Sequence, residues 1–350
     1  MTSIGKGCRN LFSGRGWRGS LLVACLLTAS GCSHKAAQPS QPAQPSQPAQ
    51  TAQSSTAVPE SATPAVSGAG ASHAVQARMH NVFIHLTDSV AIQIDTLSGE
   101  LVPVGTNVMP VFDDSRSYVL GVKFARVRVS PETLANVMNT YAFAKPDAPL
   151  KGLSITIEGN QLRVKGRLHS KGDIPFETLG TLSPTKDGKV RIHTQKVKAL
   201  RIPIKGIMSI FGMDLANMIN TSKVPGIETE NDDLIMDVSK LMPPPELQGA
   251  VTAVRVEPTE IVFTFGTEDH APALEKGNYM TLRGNRLQFG KLITTDTDLT
   301  VLDLEPAERL DWSQTEYKEQ LAAGYAKITP TFGLRAYVKG YNKLAHAPKK

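Results

Sequence analysis

The sequence predicts an α+β fold in which long, curved antiparallel strands wrap around one or two amphipathic helices. Three observations carry this. From residue 77 onward the dominant hydrophobic period is two, the signature of strands with one covered face. Only a few segments repeat at the 3.6-residue helical spacing. Turn signals such as Gly159-Asn160 and Glu257-Pro258 separate the alternating runs at hairpin intervals.

The elements follow in order. A hairpin is expected over 81–104. Residues 117–130 alternate through Val119, Val122, Phe124, Val127 and Val129. Ser130 then offers an N-cap oxygen and Pro131 suits the first helical position. The helix predicted over 130–143 places Leu134, Val137, Met138 and Tyr141 on one face. Residues 154–168 read as a hairpin turning at Gly159-Asn160. Residues 188–204 alternate again. A second helix is predicted over 204–219, "IKGIMSIFGMDLANMI", with Ile207, Met208, Phe211, Leu215 and Met218 on its apolar side. Two strands are expected over 250–266 and three over 278–304. A hairpin at "LRGNRLQFGKL" there echoes the Gly-Asn turn of 154–168. A third helix is expected over 313–326.

The N-terminus reads as an export leader over 1–31. Lys6, Arg9, Arg15 and Arg18 precede "LLVACLLTASGC", an apolar core too short to span a bilayer. Ala29-Ser30-Gly31-Cys32 resembles the bacterial lipobox, which implies a diacylated Cys32 as the mature N-terminus. The three cysteines, Cys8, Cys25 and Cys32, all fall in or at the end of the leader, so the folded part has no disulfide to form. Residues 32–76 carry a repeated "AQPSQP" unit and an Ala/Ser/Pro/Gln bias, the composition of a disordered tether. The organisation expected is therefore leader 1–31, tether 32–76, an α+β domain 77–277 and a β-rich extension 278–350.

Charge excludes one class of partner. The chain has 38 basic and 32 acidic residues, but four of the basic ones lie in the leader. The nearly neutral remainder has no electrostatic footprint for nucleic acid.

Chemical motifs are absent from the sequence. The histidines form no HExxH or Cys/His zinc spacing, and there is no P-loop, dinucleotide fingerprint or Gly-x-Ser-x-Gly elbow. No cofactor or metal is expected, and no catalytic residue is assigned. The remaining acid–base candidates are the cluster ending at His270, and the pair Asp296 and Asp298.

The order strand, "VSPETLANVM" helix, hairpin, long strands, "IPIKGIMSIFGMDLANMI" helix, "VPGIE" and "VTAVRVEPTEIVFTFG" resembles the lipid-binding domain of the mycobacterial lipomannan elongation protein family. That family belongs to the tubular lipid-binding group typified by bactericidal permeability-increasing proteins. The resemblance covers roughly Phe124 to Gly266. It implies a half-barrel or tubular sheet on a helix that holds phospholipid acyl chains at the cell envelope.

The function expected is thus an envelope lipoprotein anchored through Cys32. It would bind or transfer phospholipid acyl chains in an apolar groove without bond chemistry, facing the periplasm from the outer membrane. Leu134, Val137, Met138 and Tyr141 would form one wall of the groove. Ile207, Met208, Phe211, Leu215 and Met218 would form the other. The alternatives are a scaffold lipoprotein that binds another envelope protein, and a hydrolase with scattered site residues.

Overall fold

The structure, a computed structural model, describes residues 73–169, 172–195, 198–199, 215–230, 233–274 and 276–344. All of them belong to the unit Val66–Lys350. Three long strands open it: β1 (Val75–Thr87), β2 (Val90–Pro103) and β3 (Tyr118–Val129). Helix α1 (Pro131–Val137) follows, continued by a π-helical turn over Met138–Ala142. Next come β4 (Leu150–Glu158), β5 (Gln161–Leu168), β6 (Ile174–Pro184), β7 (Val190–Thr194) and β8 (Lys198–Ala199). The short helix α2 (Leu215–Met218), β9 (Ile227–Glu230), β10 (Asp233–Met236) and the one-turn helix α3 (Val238–Leu241) lead into β11 (Glu246–Gln248), β12 (Val251–Val256) and β13 (Ile261–Gly266). The C-terminal part supplies β14 (Tyr279–Gly284), β15 (Leu287–Phe289), β16 (Leu292–Thr294), β17 (Thr297–Asp303), β18 (Leu310–Ser313), α4 (Tyr317–Ala322), β19 (Tyr325–Ile328) and β20 (Leu334–Val338).

Two principal sheets result. The larger has the order β12-β13-β3-β2-β1-β14-β17-β20-β19, with β11 added to β3 and β18 to β1. The smaller has the order β4-β5-β6-β7-β10-β9, with β8 added to β6. The pair β15-β16 stands apart. Most pairings are antiparallel; β1–β18, β3–β11 and β17–β20 are parallel. Residues 278–350, read from sequence as an extension, contribute four strands to the main path of the larger sheet, beginning with β14 beside β1.

The larger sheet is creased where Gly99 meets Gly121. A register shift falls between Ser98 and Gly99, and a Cβ on Gly99 would sit 2.5 Å from the Gly121 carbonyl oxygen. Only glycine permits that approach, which bends the strands at the bulge. The two sheets are tied by Val251 N–H donating to the Gly188 carbonyl at 2.9 Å, which joins the start of β12 to the β6–β7 turn.

This architecture corrects the expected fold class. The unit is mostly strand, and α1 is the one helix that reaches seven residues among those described. It is not a sheet wrapped around amphipathic helices. The covered face of each sheet is met chiefly by other strands and connections. Helix α1 begins as the sequence implies: Ser130 Oγ accepts from Thr133 N–H at 3.0 Å and Pro131 occupies the first turn. It then gives way to the π turn, closed by Phe143 N–H to the Met138 carbonyl at 2.8 Å. The wider turn breaks the 3.6-residue repeat, so Tyr141 leaves the stripe begun by Leu134 and Val137. The helix expected over 313–326 contracts to α4, between β18 and β19. The 282–292 hairpin also differs: β14 pairs with β1 and β17, and the tight turn falls later, between β15 and β16. The Gly159-Asn160 turn stands where expected, with Glu158 opposite Gln161.

Candidate functional site

Alternation along β1, β2 and β3 turns one row of apolar side chains to the interior. Between that row and the segment 236–247 the packing is incomplete, and three cavities adjoin one another. The first, about 100 Å³, is lined by β1, β2 and β3 together with Phe112, Met242, Pro243, Pro245, Phe265 and Trp312. The second, about 80 Å³, lies between β3, β13, α1 and Met236–Leu247. The third, about 50 Å³, lies between α1 and the inner face of β4–β7 and β10. Among the described residues, no charged side chain lines any of them.

The partitions are specific residues. Ile92, Val127, Met242, Leu247 and Phe265 border both the first and second cavities. Leu134 and Met236 border both the second and third. A methionine therefore stands at each partition. An unbranched thioether chain with three rotatable bonds is the most adaptable of the apolar side chains, and Met242 and Met236 are the two that border adjoining spaces.

Polar groups in the walls are few, and most are satisfied by the protein. Thr133 Oγ1 donates to the Ala91 carbonyl at 3.1 Å, and Thr178 Oγ1 to the Gln195 carbonyl at 2.7 Å. In the first cavity, Gln314 Nε2 donates to the Phe112 carbonyl at 3.3 Å and shares a hydrogen bond with the Tyr118 hydroxyl. Burial pushes the Tyr118 phenol far above its ordinary pKa, so it stays neutral. Among the described residues of these walls, two groups have no partner: Thr194 Oγ1 at the third cavity and Trp312 Nε1 at the first. Trp312 is fully buried in an aromatic cluster. Phe112 and Phe289 have ring centroids 4.7 Å apart, and Tyr317 lies 5.6 Å from Trp312.

The predicted walls are placed as follows. Leu134 and Val137 line the second cavity, and Leu134 and Met138 the third. Tyr141 is half-buried and lines none of the three, for the reason the π turn gives. Ile207, Met208 and Phe211 lie outside the described residues, as does Cys32. Leu215 opens α2, and Met218 closes it as a buried core residue. Sequence reasoning missed the walls from β2, β3 and β13 and the pair Met236/Met242. The signal available for that pair was "LIMDVSKLMPPP", two methionines on either side of a short capped turn.

The acid–base candidates do not converge. His270 Nδ1 lies 3.1 Å from Thr267 Oγ1 in the turn after β13. Asp298 accepts from Arg283 at 3.1 Å at the start of β17, next to Asp296. Five strand spacings separate β13 from β17 in the sheet, roughly 24 Å. His193 Nδ1 meets Asp233 at 2.7 Å, and Arg191 holds the same carboxylate at 2.8 Å, on the smaller sheet away from the cavities.

No family model, no curated protein and no solved structure matches the chain.

Proposed function

We propose that this protein is an envelope lipoprotein that holds an acyl chain of a lipid in the row of cavities, with Cys32 as its membrane anchor and no bond chemistry. One observation carries the reading: three apolar cavities adjoin in succession, with an adaptable methionine bordering each pair. Each space alone suits a few carbons; an engineered apolar cavity of about 150 Å³ already takes up benzene. Joined, the first two offer a continuous apolar path from the aromatic cluster at Trp312 to α1. Each methylene that leaves water for such a path contributes about 0.8 kcal/mol. A segment of about six buried methylenes, the length that the first two spaces match, would therefore gain roughly 5 kcal/mol before the cost of ordering it. Orientation to the outer membrane rests on Ser33 after Cys32, where the enterobacterial sorting rule would place aspartate for inner-membrane retention.

Native mass spectrometry of the chain from residue 73 on, before and after solvent extraction, tests this. A bound species of phospholipid or fatty-acid mass is expected. A clean apo mass that stays unchanged after incubation with vesicles would reduce the cavities to packing defects and turn attention to a protein partner.

A further inference from the structure

Six large apolar side chains are exposed on two strands of the larger sheet and on connections between its strands: Val102, Val108, Leu292, Ile293, Ile328 and Phe332. The register shows what they share. Val75, the first residue of β1, pairs with Leu101 and with Gly284. Gly284 pairs with Thr297, and Leu334 pairs with both Leu299 and Ile328. Val102, Ile328 and the three connections β2–β3, β14–β17 and β19–β20 therefore all belong to the end of the larger sheet at which β1 begins. The chain also enters the sheet there, from the N-terminal segment that carries Cys32.

Phe332 is the most exposed of the six, at 92 %. Its φ of +63° is the left-handed conformation that residues other than glycine rarely adopt. The turn nevertheless holds it. Thr329 N–H donates to the Gly333 carbonyl at 2.7 Å, and Phe332 N–H to the Thr329 carbonyl at 2.9 Å. Gly333 N–H donates to Thr329 Oγ1 at 2.9 Å. Gly333 is seated so closely on β17 that a Cβ there would lie 2.3 Å from Asp298 Oδ2. A strained backbone that carries a solvated ring costs the protein stability; such residues persist where the surrounding turn over-determines them, and they cluster at functional sites.

We propose that this end of the sheet docks on a phospholipid surface, with Phe332 as the inserted anchor and Ile328 beside it. Apolar tips carried on separate connections suit a soft partner that needs no matched shape. The segment that leads back to Cys32 joins the sheet at this same end, so a bilayer as the partner rests on the lipoprotein reading proposed above. Charge is balanced there: Arg116, Arg286 and Lys291 share the connections with Asp113, Asp114 and Asp296. Docking is therefore apolar in origin, and neither salt nor anionic lipid governs it. Leu101 and Tyr118, which line the first cavity, lie at this same end. Docking does not depend on the cavities being filled, and it is tested separately from acyl-chain uptake.

The test is flotation of the chain from residue 32 on, with Cys32→Ser to remove the acyl anchor, against phosphatidylcholine vesicles. The unsubstituted surface should float. Phe332→Gly should lower partitioning at least about tenfold, equivalent to about 1.4 kcal/mol, while raising Tm by relieving the positive φ. Leu274→Ser, an exposed apolar residue elsewhere, should float like the parent. Adding anionic lipid or 0.5 M salt should change partitioning less than about twofold. Flotation of Phe332→Gly equal to the parent would overturn the proposal. So would failure of the parent to float, including the case where size-exclusion shows that Phe332 instead mediates self-association.

Discussion

Filling the first cavity separates a ligand site from a packing defect. Ala125, on β3 opposite Leu97 and Phe265, is buried and lines that space. Ala125→Leu adds three carbons. If they enter empty apolar volume, burial contributes up to about 2.4 kcal/mol at about 0.8 kcal/mol per methylene. Imperfect fit against Met242 and Trp312 would take back about half. The expected net gain is about 1 kcal/mol, or about 2–4 °C in Tm for a unit of this size. Lipid uptake should fall in parallel, because the added side chain occupies the path. Thermal unfolding of lipid-free protein, paired with uptake of labelled phospholipid from vesicles, reads both. In a fully packed interior the same substitution costs about 1–3 kcal/mol. A fall in Tm of more than about 4 °C with uptake unchanged would refute the reasoning.

Three further outcomes are expected. Ser130→Ala removes the cap of α1 and should cost about 1 kcal/mol in denaturant unfolding; it should also weaken uptake, since α1 carries Leu134 and Val137, whereas Ser130→Asp should restore both. Trp312→Phe discards a buried N–H without a partner and should stay within about 1 kcal/mol of the parent, against about 3–5 kcal/mol lost in Trp312→Ala. Asp303 is buried, and burial raises its carboxyl pKa above the ordinary value. Its ionisation therefore opposes folding above that raised pKa and has no effect below the unfolded value near about 4. Asp303→Asn, which keeps an acceptor for Glu305 N–H, should raise Tm at pH 7, with the gain vanishing as pH falls toward 4.

Local features were legible in the sequence where a single interaction decides them. The Ser130 cap, the Gly159-Asn160 turn and the strand β3 with its alternation follow from one residue's chemistry or from a short period. Pairing across long separations was not legible. Nothing in "YMTLRG" says that it will lie beside β1, about two hundred residues earlier in the chain, and so residues 278–350 read from sequence as an extension. The helix-wrapped architecture failed for a related reason. A 3.6-residue stripe records which face is apolar, but not whether a π turn will interrupt it after Val137. The cavities were legible only in part. Leu134, Val137 and Met138 stand out as a stripe. Ala125 and Met242 acquire meaning only when β3 and the 236–247 segment are brought together. The docking tip was hidden too, since an aromatic beside a glycine in "TPTFGL" reads as an ordinary turn until its backbone angle and exposure are known.

The chain has two tryptophans, Trp17 and Trp312; a chain begun at residue 73 keeps only Trp312, which sits fully buried on the wall of the first cavity. The most direct measurement is its fluorescence on titration with phosphatidylcholine brominated along the acyl chain. Acyl-chain binding in the cavities predicts strong, saturable quenching that Ala125→Leu abolishes and that a headgroup-labelled quencher does not reproduce. Unchanged emission while the protein demonstrably associates with the vesicles would contradict it, and would leave the interior as closed core.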